Sequence, residues 1–369
     1  MNMDHMSHHG GGGGHEGMGV SCDGVPPQGE GGTLMGHILP GILFVVWGSW
    51  WAYNVCLRSV VSVRNKMVFE SQPFYRFPRE RMSLMEPLLK IVLPIIAMSM
   101  ELYFDHLSEG FQHLYCPEGT KHAGEFAGDN VNNWQHASSY PAVITSGIVD
   151  LLSRVVELPP GVNRAFSALW IGIMGFLMFV HEKHEALDKM VHWLLAMAML
   201  FAFVCAMLEV YATKSPAVSM SKSVTTILVG AWLIQIGKAM YAGGPEWTQS
   251  RSIGAMLAPV FFCMILLLIA ISVLGLYVIL SVLHAHQLIP KALLSTCEAE
   301  HQCLPRHTNL ASLTDKGVLE LAERKHLLQS EQSFDNDSAL CPSEHSPKHG
   351  CVARAGNVRM SVPRHDSPV

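Results

Sequence analysis

His181, His184, Asp188 and His192 crowd a short polar turn inside GFLMFVHEKHEALDKMVH, residues 175–192. Imidazole and carboxylate are common ligands for zinc and related divalent metals. The turn separates two apolar runs of membrane length, where ionisable side chains are costly and so raise the question of function. His37, Glu101 and His136 stand at the ends of other apolar runs and could join the same site. A second set, Glu86, Lys90, Asp150, Arg154 and Glu209, falls toward the opposite ends of those runs. The N-terminal tail adds Met3, His5, Met6, His8, His9 and His15 among glycines. Thioether with imidazole suits Cu(I), and the histidines alone suit zinc, so this tail could collect either metal.

The elements that must position these groups are membrane helices. Hydrophobic residues make up 49% of the chain and charged residues 15%, against about 25% charged in ordinary globular domains. The apolar residues gather in long runs, which predicts an all-α polytopic bundle of seven transmembrane helices in a lipid bilayer. The expected spans are 38–57, 84–104, 136–156, 162–181, 189–211, 217–241 and 253–283. They lie within a transmembrane domain over 36–284, between a disordered Gly/His/Met-rich tail at 1–35 and a disordered cytoplasmic tail at 285–369. The mildly acidic balance, net −5, argues against nucleic acid as a partner. Nine cysteines without CxxC spacing argue against a zinc ribbon or a thioredoxin-like site. No basic stretch precedes the first run, so no secretory signal peptide is expected.

Lysine and arginine set the expected orientation. The first loop carries Arg58, Arg64, Lys66, Arg76, Arg79 and Arg81, whereas the long second loop has only Lys121 among several acids. This predicts the N-terminus outside or in a lumen and the C-terminus in the cytoplasm. Cys22 and Cys116 then share the outer side, as a disulfide or as two thiols. Under this topology His37, Glu101, His136, His181 and His192 form an outer layer. Asp150 lies ~21 Å along the helix from His136, so it belongs to an inner layer. There Glu86 with Lys90, and Asp150 with Arg154, are spaced i,i+4, which predicts ion pairs along single helices. Glu209 has no such neighbour.

Several short stretches in order resemble the transmembrane protein 45 family, multi-pass proteins sharing a domain of unknown function. They are GHILPG at 36–41, NWQH at 133–136, SGIVDLL at 146–152, GFLMFVH at 175–181, LEV at 208–210, GAWLIQIG at 230–237 and PEW at 245–247. Leu187-Asp188 with His192 belongs to the same series, and the resemblance covers roughly residues 34–284. It implies seven helices. Three positions depart from the family's pattern. Met174 stands where a glutamate is expected, Ile265 where a histidine is expected, and His181-Glu-Lys-His184 where the family has HxH and a proline-rich turn.

The favoured reading is a non-enzymatic multi-pass membrane protein organised by the outer histidine and acid cluster. A copper- or zinc-handling protein is the first alternative. A zinc-dependent membrane hydrolase is the second, although the last span lacks HxxxH and the chain has neither a nucleophile elbow nor HExxH. The absence of DRY after span three and NPxxY in span seven argues against a serpentine receptor.

Overall fold

The computed structural model describes residues 21–24, 33–77, 82–103, 110–181, 183, 185–242, 247 and 251–290, with only the backbone of Asp129 and Arg251. His184, the Met/His positions of the N-terminal tail and the segment 291–369 lie outside the described residues. Among the described residues the regular structure is entirely helical: α1 Leu34–Arg64, α2 Met85–Leu102, α3 Val131–Ala137, α4 Tyr140–Leu152, α5 Val162–Phe179, α6 Ala186–Tyr211, α7 Pro216–Tyr241 and α8 Arg251–Ala285. A 3-10 turn, Gly128–Asn130, leads into α3. Five helices are long and apolar enough to cross a membrane: α1, α5, α6, α7 and α8.

Local chemistry sets most of the boundaries. Thr33 caps α1 by accepting a hydrogen bond from Gly36 N at 2.9 Å, so the helix starts before residue 38 and runs past 57 to Arg64. The span expected over 136–156 is instead two helices. Pro141 has no N–H, and its ring crowds the carbonyl four residues back, so it begins α4 and does not continue α3. The hydroxyls of Ser138 and Ser139 donate to the carbonyls of Gln135 and His136, satisfying oxygens released by the break. Gly161 supplies the left-handed residue (φ 85°) from which α5 starts. The tail expected to be disordered over 1–35 is ordered in part. Cys22 and Cys116 form a disulfide with Cα atoms 5.3 Å apart, His122 N donates to Cys22 O, and Leu34 and Met35 belong to α1.

The closest helix pairing joins α1 and α7. Glycines recur at a spacing of seven on both, Gly41 and Gly48 against Gly230 and Gly237. A Cβ on Gly230 would fall 2.5 Å from the Gly41 carbonyl oxygen and 2.5 Å from Val45 N. Gly41 faces Gly230 and Ile234, while Gly48 faces Ser223 and Ile227, so the two helices run antiparallel. Small residues allow such approach where no hydrophobic force drives helices together in lipid. Around this seam Leu195, Trp232, Ile236 and Ala258 form a core shared by α6, α7 and α8. The other face of α8 remains open, with Leu268, Leu274 and Ile279 more than half exposed.

The inner charges pair between helices, not along them. Lys90 Nζ meets Asp150 Oδ2 at 2.7 Å, both side chains almost fully buried, and donates to Ser167 Oγ at 3.2 Å. Glu86 accepts from Trp51 Nε1 at 2.8 Å, Trp50 Nε1 at 3.2 Å and Tyr75 N at 2.9 Å. Glu209 pairs with Lys222 and accepts from Ser219 at 2.5 Å, both across the turn into α7. Arg154 lies beyond the end of α4 and is exposed, so the expected Asp150–Arg154 staple does not form. Helix ends decided the outcome, because α4 stops at Leu152 before Arg154 completes another turn.

Two substitutions test this packing. Gly230→Leu should force α1 from α7 and lower stability by roughly 1–3 kcal/mol, the usual range for overpacking, read as an earlier thermal unfolding midpoint in detergent. Lys90→Met should cost about 3–5 kcal/mol by leaving Asp150 buried without its cation, and adding Asp150→Leu should restore most of the loss.

Candidate functional site

Histidines from four helix ends meet at one end of the bundle. His37 comes from the first turn of α1, His136 from the last turn of α3, His181 from just beyond α5 and His192 from the start of α6. Their rings form a series with centroid separations of 5.4 Å (His136–His181), 5.8 Å (His181–His192) and 5.7 Å (His192–His37). Tyr241 at the end of α7 closes the series, 5.2 Å from His37. The histidines expected to share a layer therefore do converge. Glu101 joins them through His136, whose Nδ1 lies 3.5 Å from Glu101 Oε1, and through the Tyr140 hydroxyl at 3.5 Å.

Three of the four rings are hydrogen-bonded at the same atom. His37 Nδ1 donates to Thr33 O at 3.0 Å, and His181 Nδ1 to Gln135 Oε1 at 2.5 Å. Gln135 Nε2 donates to Leu177 O, which fixes the amide so that its oxygen faces His181. His192 Nδ1 donates to Asp188 O at 2.9 Å and lies 2.7 Å from Asp188 Oδ1. With the Glu101–His136 contact, all four Nδ1 atoms face an oxygen, which leaves each Nε2 on the unanchored side of its ring. That tautomer is the one found where the second ring nitrogen binds a metal or accepts a proton. Lys183 Nζ stands 3.8 Å from Asp188 Oδ2. Burial, and next the Lys183 ammonium, pull the His181 imidazole down to about 3 from its ordinary 6.5, so the ring is neutral.

Among the described residues no group of three or more His, Cys, Asp or Glu side chains is gathered so as to hold a metal ion. The rings make an open series, not a cage. Met174 and Ile265, which depart from the family's expected acid and histidine, instead pack against the apolar core. Gln135, Lys183, Tyr140 and Tyr241 were missed in the sequence. Only Gln135 carried a signal there, as the neighbour of His136 in NWQH.

Residues 160–278 match the family model described as "Family of unknown function (DUF716)". That stretch runs from the start of α5 into α8 and includes His181, Asp188 and His192. The chain is similar to transmembrane epididymal protein 1 of Rattus norvegicus, 23% identical over 264 residues, 69% of this chain and 82% of the relative. It is also similar to transmembrane epididymal protein 1A of Mus musculus, 22% identical over 267 residues, with the same coverage. These likenesses, with the five long apolar helices, support an integral membrane protein that associates with the lipid bilayer.

The neutral His181 predicts a pH dependence. Its folded value, about 3, lies below the 6.5 of an unfolded histidine, so between those values only the unfolded chain takes up the proton. His181 therefore opposes folding progressively as pH falls below about 6.5, and imposes no such penalty above it. The unfolding midpoint should decline on acidification through this window, and His181→Gln should flatten that decline.

Proposed function

We propose that the chain is a non-enzymatic multi-pass membrane protein related to the transmembrane protein 45 family, crossing the bilayer seven times with its N-terminus outside. In this reading the histidine end is a hydrogen-bonded network that fastens helix ends at the outer surface. α2, at 18 residues, is ~27 Å long and serves as a crossing despite its three charges. α3 and α4 together supply another crossing. The Cys22–Cys116 disulfide supports an oxidising compartment for this end. The basic residues around Arg58, Arg64 and Lys66 support a cytoplasmic face for the other.

The network reading rests on the hydrogen bonds from Nδ1 of His37, His181 and His192 to oxygens of neighbouring groups, with His136 Nδ1 3.5 Å from Glu101 Oε1. The unanchored Nε2 atoms favour a second reading, in which zinc or copper draws the ring series closed and the N-terminal Met/His segment delivers it. No observation favours the zinc hydrolase over these two.

Metal analysis of the purified full-length protein separates them. The network reading expects far less than one metal per chain, unchanged by His136→Ala, together with a stability loss of about 1–3 kcal/mol from the unpaired groups left behind. Stoichiometric zinc or copper that disappears in His136→Ala or His192→Ala would replace the network with the metal site.

A further inference from the structure

The charged end of the bundle is covered by a piece of chain that is neither helix nor strand. After α1, residues 69–75 turn inward, with Phe69, Ser71, Phe74 and Tyr75 buried. Non-helical backbone at membrane depth persists only where protein encloses it or it lines a polar cavity. Ties to four different elements hold the segment. Ser71 N donates to Thr213 O in the α6–α7 turn at 2.8 Å, and Arg164 at the start of α5 donates to Ser71 O at 2.5 Å. Tyr75 N donates to Glu86 on α2, and the Arg58 guanidinium of α1 lies 5.3 Å over the Tyr75 ring. The segment therefore ties α1, α2, α5 and the α6–α7 turn together at the end of the bundle that also holds the Lys90–Asp150 and Lys222–Glu209 pairs.

Polar atoms in this layer are incompletely bonded. Asp150 gives Oδ2 to Lys90, but its Oδ1 has no hydrogen bond, and neither does Ser146 Oγ one turn earlier on the same helix. Ser71 Oγ on the covering segment has none either, and all three residues are 0% exposed. Buried polar atoms nearly always find partners. Two unpaired oxygens on adjacent turns of α4 suit a small hydrogen-bonding guest with donors to give. Gly147 between them packs against Pro87 O and Lys90 Cβ, so these oxygens and the lysine belong to one seam.

We propose that Asp150 is a proton-binding site reached from the charged end, with residues 69–75 as its gate and water as the carrier. In the step, hydronium gives its proton to Oδ1 of Asp150 and leaves as water. The Lys90 ammonium, having lost its counter-charge, shifts its hydrogen bonding to Ser167, already 3.2 Å away. The same end of the bundle also carries Arg58 on α1, Glu86 on α2, Arg164 on α5, Glu209 on α6 and Lys222 on α7. The site lies apart from the histidine end and does not depend on whether that end holds metal.

The test uses full-length protein in sealed vesicles with Ser146→Cys as reporter. A membrane-impermeant methanethiosulfonate is applied from the charged side, and the modified peptide is quantified by mass spectrometry. Tyr75→Ala should speed labelling about tenfold by favouring local opening. An oxidised Ser71→Cys, Thr213→Cys lock should slow it. If Ser146→Cys fails to insert, Ser71→Cys alone reports the gate through the same Tyr75→Ala comparison. On acidification, the infrared difference spectrum should gain a protonated-carboxyl band that is absent in Asp150→Asn. A reporter that stays equally unreactive in gated, open and locked proteins overturns the gate. Labelling without an Asp150-dependent band overturns the proton site.

Discussion

Much of the molecule depends on how closely α1 and α7 approach. A helix pair in such close contact has little freedom to rotate or slide, because a Cβ on Gly41, Gly48 or Gly230 would collide with the facing backbone. That seam therefore fixes groups at both ends. At one end it sets His37 of α1 near Tyr241 of α7. At the other it places the Lys222 ammonium 4.6 Å over the Trp51 ring and brings Trp50 and Trp51 to Glu86. A glycine contact with no chemistry of its own thus aligns two chemically different layers.

Those layers handle the cost of burying polar groups in different ways. At the charged end, carboxylates are matched by cations or by several N–H donors drawn from other helices. Each match also determines which helices stay adjacent. At the histidine end neighbouring oxygens orient the rings, and burial beside the Lys183 ammonium keeps His181 neutral. A neutral imidazole costs less to bury than an ion.

The helical, membrane-protein character of the chain and the meeting of His37, His136, His181 and His192 at one end of the bundle were legible in the sequence, because apolar run length and distance along a helix are one-dimensional quantities. Partner choice was not. Local spacing pointed Asp150 toward Arg154, but the end of α4 left Arg154 outside, and Lys90 arrived from a helix 60 residues away. The same limitation hid Lys222, which the turn between α6 and α7 brings to Glu209. The break at Ser138–Ser139 had a visible cause in Pro141, but the apolar run around it outweighed that signal. Gly41, Gly230 and Gly237 stood inside two quoted motifs and Gly48 outside them, without a sign that they faced each other.

The bridge between Cys22 and Cys116 has a consequence for the order of assembly. It closes a loop of 94 residues containing all of α1 and α2. The two thiols can meet only when both are in the same compartment, so the bond cannot form until the ribosome has made the chain beyond residue 116. Once oxidised, it encloses α1 and α2 in one covalent ring before α5 to α8 need to exist. α4, which packs on α2, and α7, which packs on α1, then dock onto helices that are already linked. Reducing conditions during synthesis would accordingly act on biogenesis, by leaving α1 and α2 without that link, more than on the finished protein.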